Sequence, residues 1–203
     1  AAKLIADNLQ SLIIVPSESR AKVLAGDLEY FTRKTKHRII NIPGWDNFLF
    51  NYDAKNHDEL NKRISALKSL EEGEPVIIIC PVSSAIKKIQ PRDCFSKSSL
   101  TIKKGMEENP IELKENLVKM GYEHTEMIEG KGQFSNRGGI LDIFTPDLDN
   151  PVRIEFFGDE VDDIRIFDID TQRSVDNLKE ISVYPAIELV GNSVLERGRL
   201  KLI

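Results

Sequence analysis

The apolar positions of this chain fall into two textures. Through residue 91, short continuous apolar runs alternate with stretches whose apolar residues recur at helical spacing. Residues 1–9 read as a helix. Residues 12–15 read as a buried strand ending at Pro16, with Ser17 as the N-cap of a following helix. Ala21, Leu24, Ala25, Leu28 and Phe31 form that helix's stripe. A second strand is predicted over residues 38–42, followed by a loop at Pro43, Gly44 and Trp45. Asn56 and Glu59 have capping-box spacing, Leu60, Ile64 and Leu67 stripe the helix behind them, and Gly73 stops it. Residues 76–80 predict a third buried strand, with a short helix around Ala85. Apolar strands separated by helices predict a parallel α/β sheet.

Beyond Pro91 the period shortens. Residues 100–103 alternate weakly. Asn109, Pro110 and Glu112 open a helix carrying Ile111, Leu117 and Val118, which Gly121 stops. Residues 132–168 then alternate in short runs broken by Gly138-Gly139, Pro146-Asp147 and Gly158-Asp159, the signal of consecutive antiparallel strands. Gly158-Asp159 is predicted to turn the chain between Phe157 and Val161. The alternating runs end near residues 181–184, and Ser193 starts another predicted helix. Residues 1–91 thus read as an α/β domain and 92–185 as a small α+β unit. Both ends read as open, as in a piece of a longer polypeptide.

On a strand over residues 152–157, Val152, Ile154 and Phe156 share one face, an ordinary core face. Arg153, Glu155 and Phe157 share the other. Arginines and aromatics are enriched where protein surfaces carry binding energy. Gln133, Ser135 and Arg137 alternate in the same way, so Arg137 joins that face if the strands pair. Pattern alone fits equally well an exposed strand face with one stray aromatic.

Composition narrows the classes. Of 203 residues, 40% are hydrophobic and 30% charged, ordinary for a globular protein. The longest apolar run, residues 76–80, is too short to span a membrane. Two cysteines are too few for a disulfide framework, which favours a cytoplasmic setting, and Cys80 reads as a buried thiol. The three histidines lie far apart and there is no Cys-x-x-Cys, so no metal site is expected. Residues 131–185 hold 6 basic and 12 acidic side chains, a net of −6. That stretch is ill suited to a phosphate backbone, and its arginines are better matched to carboxylates on another protein. No G-x-x-x-x-G-K-[ST] loop occurs, the near-fingerprint at Gly130 lies between extended runs, and Asp159, Glu160, Asp162 and Asp163 read as a solvated turn. No cofactor and no catalytic constellation is expected. Residues 168–174 read as a polar turn.

The segments GQFSNRGGILDIFTP, PVRIEFFGDEVDDIRIFDIDTQRS and VYPA together resemble the module shared by the bacterial transcription-repair coupling factors and the excision-repair helicase UvrB. IPGWDNFLFNYDAKN and KKGMEENPIELKENLVKMGYEH are also similar to the coupling-factor form. The resemblance implies a helicase-like (P-loop-type) parallel sheet lacking a phosphate-binding loop, with residues 92–185 as an inserted α+β domain that binds UvrA. Residues 186–203 would then return to the first domain. It implies a non-catalytic, monomeric piece of an ATP-driven DNA translocase that recruits UvrA to stalled RNA polymerase. Polymerase, DNA and the motor would belong to other domains, and the UvrA-binding face would be covered until activation. By the family's motifs, Arg137, Arg153, Glu155 and Phe157 would bind UvrA. The alternative is a nucleotide-binding UvrB-type helicase domain that contacts DNA directly, although no counterpart of UvrB's DNA-clamping hairpin is visible.

Overall fold

A computed structural model describes residues 10–35, 37–43, 54–86, 89 and 91–188, with the backbone only for 54–57. The helices predicted over 1–9 and from Ser193, and the loop at Gly44 and Trp45, lie outside the described residues. The chain divides into two compact units, Ala1–Ile89 and Gln90–Ile203.

The first unit is built on β1 (Ser11–Val15), β2 (Arg38–Asn41) and β3 (Val76–Pro81). They form a parallel sheet in the order β1-β3-β2. Every residue of β3 is buried, as befits a central strand covered on both faces. Helix α1 (Glu18–Thr32) brings Ala21, Ala25 and Leu28 onto Val15, Ile77 and Ile79. Helix α2 (Ala54–Glu71) brings Ala66 onto Ile40, Val76 and Ile78. The short helix α3 (Val82–Ala85) follows β3 directly. Ser17 caps α1 by accepting from the Arg20 N–H at 3.3 Å.

Three details differ from the pattern. Leu12 and Ile14 of β1 are exposed, because β1 is an edge strand and the described part of α2 packs on β2 and β3 instead. Phe31 is also exposed and Thr32 is buried in its place: at about 100° per residue Thr32 lies over Ala21, Ala25 and Leu28, while Phe31 falls to one side. Helix α2 starts at Ala54, so Asn56 is inside it and is not its N-cap.

The second unit opens with α4 (Arg92–Lys97), a short helix that the sequence pattern does not predict, and β4 (Leu100–Lys103). Helix α5 (Pro110–Lys119) follows, capped by Asn109, whose side chain accepts from the Ile111 N–H at 2.9 Å. Only this half of the capping box forms among the described residues. Next come β5 (Glu123–His124), β6 (Gln133–Arg137), β7 (Ile140–Phe144), β8 (Val152–Phe157), β9 (Glu160–Phe167), β10 (Ser174–Asn177) and β11 (Glu180–Val183). One sheet has the order β10-β9-β8-β7-β6-β5, antiparallel except for β5 on β6; β11 pairs with β4 in a second, two-stranded sheet.

The six-stranded sheet has one inner face. Phe134, Leu141, Ile143, Val152, Ile154 and Ile164 pack there against Leu113 and Leu117 of α5 and Ile102, Ile181 and Val183 of the small sheet. Truncating such a side chain to alanine costs about 2–5 kcal/mol. Tyr122 seals the end of this core by donating to the Tyr184 carbonyl at 2.7 Å, and burial pushes its phenol well above the ordinary value. The unit runs past residue 185, since Ala186 joins the same core and donates its N–H to the Met120 carbonyl at 3.0 Å.

Candidate functional site

The outer face of the six-stranded sheet holds the polar residues of the same strands. Pairing sets Ser135, Asp142, Arg153 and Arg165 in one row across β6 to β9. It sets Arg137, Ile140, Glu155 and Asp163 in the next. All four residues singled out from the sequence, Arg137, Arg153, Glu155 and Phe157, therefore lie on one face of neighbouring strands. Their surroundings differ sharply.

Phe157 ends β8 beside the Gly158-Asp159 turn and is 83% exposed. The turn is one residue tighter than the pattern suggests: Phe157 pairs with Glu160, and Gly158 at φ 65 supplies the left-handed first position of a two-residue hairpin. Arg137 flanks the other turn. It pairs with Ile140 across Gly138-Gly139, its side chain is 51% exposed, and its Nη2 lies 3.5 Å from Asp142 Oδ2. Gly139 is required there, since a Cβ would sit 2.8 Å from the Phe156 carbonyl oxygen.

Arg153 is not free. Its side chain is only 14% exposed. Nε donates to Asp142 Oδ1 at 2.7 Å and Nη2 to Asp142 Oδ2 at 2.8 Å, a closed two-bond fork. Nη2 also donates to Gln172 Oε1 at 3.0 Å, and the guanidinium lies 4.3 Å from the centre of the Phe167 ring. The bonds to Asp142 outweigh burial and raise the Arg153 pKa above its ordinary value. The Arg153 fork is thus occupied from within the sheet. Glu155 accepts from Arg165 Nη2 on the neighbouring strand. Arg165 also pairs with Asp163 at 3.6 Å, and Asp163 with Lys104 at 2.9 Å. The Lys104 bond is the main reason the Asp163 carboxyl lies below its ordinary value.

Two residues essential to this arrangement escaped the sequence reading. Asp142 is a carboxylate 2% exposed in the middle of the sheet. Its signal was a single acid inside the apolar run ILDIF. Gln172 comes from the polar turn over 168–173. It adopts φ 57, uncommon for a side chain with a Cβ, and is pinned by its Nε2 donating to the Ile169 carbonyl at 2.8 Å. The Asp168 carboxylate accepts from the Thr171 N–H and hydroxyl at 2.8 and 2.7 Å, which holds its pKa below the ordinary value.

Among the described residues no group of three or more His, Cys, Asp or Glu side chains is arranged to hold a metal ion. Cys80 is buried, and burial raises its thiol pKa. No described helix is long and apolar enough to cross a membrane. What the outer face offers is an exposed ring, a half-exposed guanidinium and two sets of internally paired charges, all on a rigid sheet.

Residues 100–189 match the family model of the UvrB interaction domain. That segment falls within the second unit. Most of the chain is similar to transcription-repair-coupling factors. It is 40% identical to that of Bacillus subtilis (strain 168) over 129 residues, which cover 64% of this chain and 11% of the relative. It is 28% identical to that of Escherichia coli (strain K12) over 177 residues, 87% of this chain and 15% of the relative. It is 31% identical to that of Staphylococcus aureus (strain MRSA252) over 190 residues, 94% and 16%. The chain therefore spans only a small part of the length of these relatives. The matched segment of the UvrB interaction domain contains both arginine–carboxylate sets and Phe157.

Proposed function

We propose that this chain is a protein-docking module of a transcription-repair coupling factor and that its UvrB interaction domain binds UvrA. The outer face of the six-stranded sheet is the docking surface. In this reading the first unit is a helicase-like base into which the second domain is inserted, and the module itself is non-catalytic. DNA translocation and contact with RNA polymerase belong to the rest of the protein. The observation that carries the reading is the exposure of Phe157 on a sheet whose opposite face is fully packed. A large ring held on a rigid strand loses little freedom on binding and buries much apolar area, which suits it as an anchor.

Docking then divides among the four residues. Phe157 enters an apolar depression on UvrA. Arg137, half-exposed, meets a carboxylate with a charge-assisted hydrogen bond. Arg153 and Glu155, each paired within the sheet, shape the surface between them. Titration of UvrA against the 203-residue chain and its Phe157→Ala and Arg153→Ala variants tests this. Each variant is expected to cost about 2 kcal/mol of binding. Wild-type affinity in Phe157→Ala would refute the anchor, and wild-type affinity in Arg153→Ala would remove that residue from the site.

A further inference from the structure

We propose that Asp142 is the positioning residue of the docking face: it locks the plane of the Arg153 guanidinium and leaves Arg137 as the cation that reaches the partner. The inference rests on the docking reading above and divides labour between two arginines that the sequence treats alike.

Asp142 lies directly across from Arg153 in the β7–β8 register and from Ser135 in the β6–β7 register, sealed from water. A carboxylate buried there is stable only if its charge is met. Arg153 meets it with two short, parallel bonds that fix the guanidinium within its own plane. The guanidinium carbon lies 4.3 Å from the centre of the Phe167 ring, and Gln172 takes a further Nη2 hydrogen. Nη1 makes no hydrogen bond among the described residues. Arg153 therefore shows a partner one edge in one orientation and cannot swing to close a second fork.

Arg137 relates to the same carboxylate differently. At 3.5 Å its Nη2 feels the charge of Asp142 without a good hydrogen bond. Its side chain is steered towards the face while its remaining donors stay available to solvent. One buried carboxylate thus serves two guanidinium groups, and the surplus positive charge rests on the one that is exposed. The partner group that fits is a carboxylate presented at Arg137. Lysine in place of Arg153 would keep the charge but could not form the two-bond fork to Asp142.

The test uses the 203-residue chain with Asp142→Asn and Arg153→Lys. Asparagine keeps the shape of Asp142 but has a single acceptor oxygen and no charge. In the free wild-type chain, the Arg153 Nε–H should give a distinct, slowly exchanging proton–nitrogen NMR signal. In Asp142→Asn that signal should be lost while the backbone amides of the inner face are unchanged. Both variants should bind UvrA about tenfold more weakly than wild type. A fast-exchanging Nε–H in the wild type, or wild-type affinity in a folded Asp142→Asn, would overturn the proposal. If Asp142→Asn does not fold, Arg153→Lys decides, and wild-type affinity there overturns it equally. If the wild-type chain fails to bind UvrA while its Nε–H is protected, the docking reading has failed and the clamp is structural only.

Discussion

Side chains on the outer sheet face differ more in freedom than in type. Arg137 and Arg153 look alike in sequence, but one is half-exposed and the other is closed on Asp142 and held close to the Phe167 ring. The closure reaches into the 168–173 turn through Gln172, and that turn is held by Asp168 and Thr171. A carboxyl whose pKa is lower in the folded chain than in the unfolded chain contributes stability above its unfolded value, about 3.9 for Asp. That contribution is lost as pH falls through the lower, folded value. For Asp168 the shift is downward, so the turn is fully held at neutral pH and loosens in acid. Thr171→Ala removes the hydroxyl bond and should raise the Asp168 pKa towards the ordinary value. Carbon-13 NMR titration of the carboxyl measures this, and an unmoved midpoint would mean that the backbone N–H alone holds it. Alternation along the strand was enough to place Arg153, Glu155 and Phe157 on one face. It was blind to Asp142, because the carboxylate that pairs with Arg153 lies on the neighbouring strand.

Among the elements, the two hairpin turns do most to aim the face. Gly138-Gly139 joins β6 to β7 in two residues and brings Arg137 beside Asp142. Gly139 lies against the β8 backbone, where Phe156 donates its N–H to the Gly139 carbonyl at 2.7 Å. Gly139→Ala would press a methyl group onto the Phe156 carbonyl, a contact backbone cannot easily yield. We expect it to destabilise the domain by about 1–3 kcal/mol, read as a lower urea midpoint. Gly138→Ala meets no atom within 4 Å, and its strain comes only from φ 61, about 1–2 kcal/mol. If Gly139→Ala unfolds at the wild-type midpoint, the close approach is not a constraint. The β8–β9 pairing carries a bulge between Glu155 and Phe156, with Asp162 as the extra residue. It turns Val161 to the core alongside Ile164, three positions on. That spacing of three was visible in VDDI, but alternation alone does not say how a broken period is absorbed. The helix ends were more legible: Ser17 and Asn109 cap as their side-chain chemistry predicts, whereas Asn56 does not, because α2 extends beyond it.

At the scale of the molecule, each unit has its own core. The largest contiguous core, from Ile102 to Ala186, lies wholly within the second unit. A chain of residues 90–188 should therefore fold on its own, with one cooperative urea transition and the dispersed amide spectrum of a packed sheet. A broad, non-cooperative transition would show that this core needs the first unit. In the first unit the parallel order β1-β3-β2 leaves β1 at an edge with Leu12 and Ile14 exposed. Apolar composition predicted burial for these residues. Burial depends on what covers a strand, which lies elsewhere in the chain.

Sequence by itself determined the local choices: which runs extend, where glycine turns them, which hydroxyl or amide caps a helix, and which residues of β8 share a face. These follow from backbone sterics and side-chain period, interactions that reach only a few residues along the chain. Tertiary structure decided which of those outward residues are free. A buried carboxylate is costly unless a cation meets it, so Asp142 draws in Arg153 across the sheet, and Arg137 and Phe157 are left facing solvent. Cross-strand register set that pairing, and register is a property of the assembled sheet.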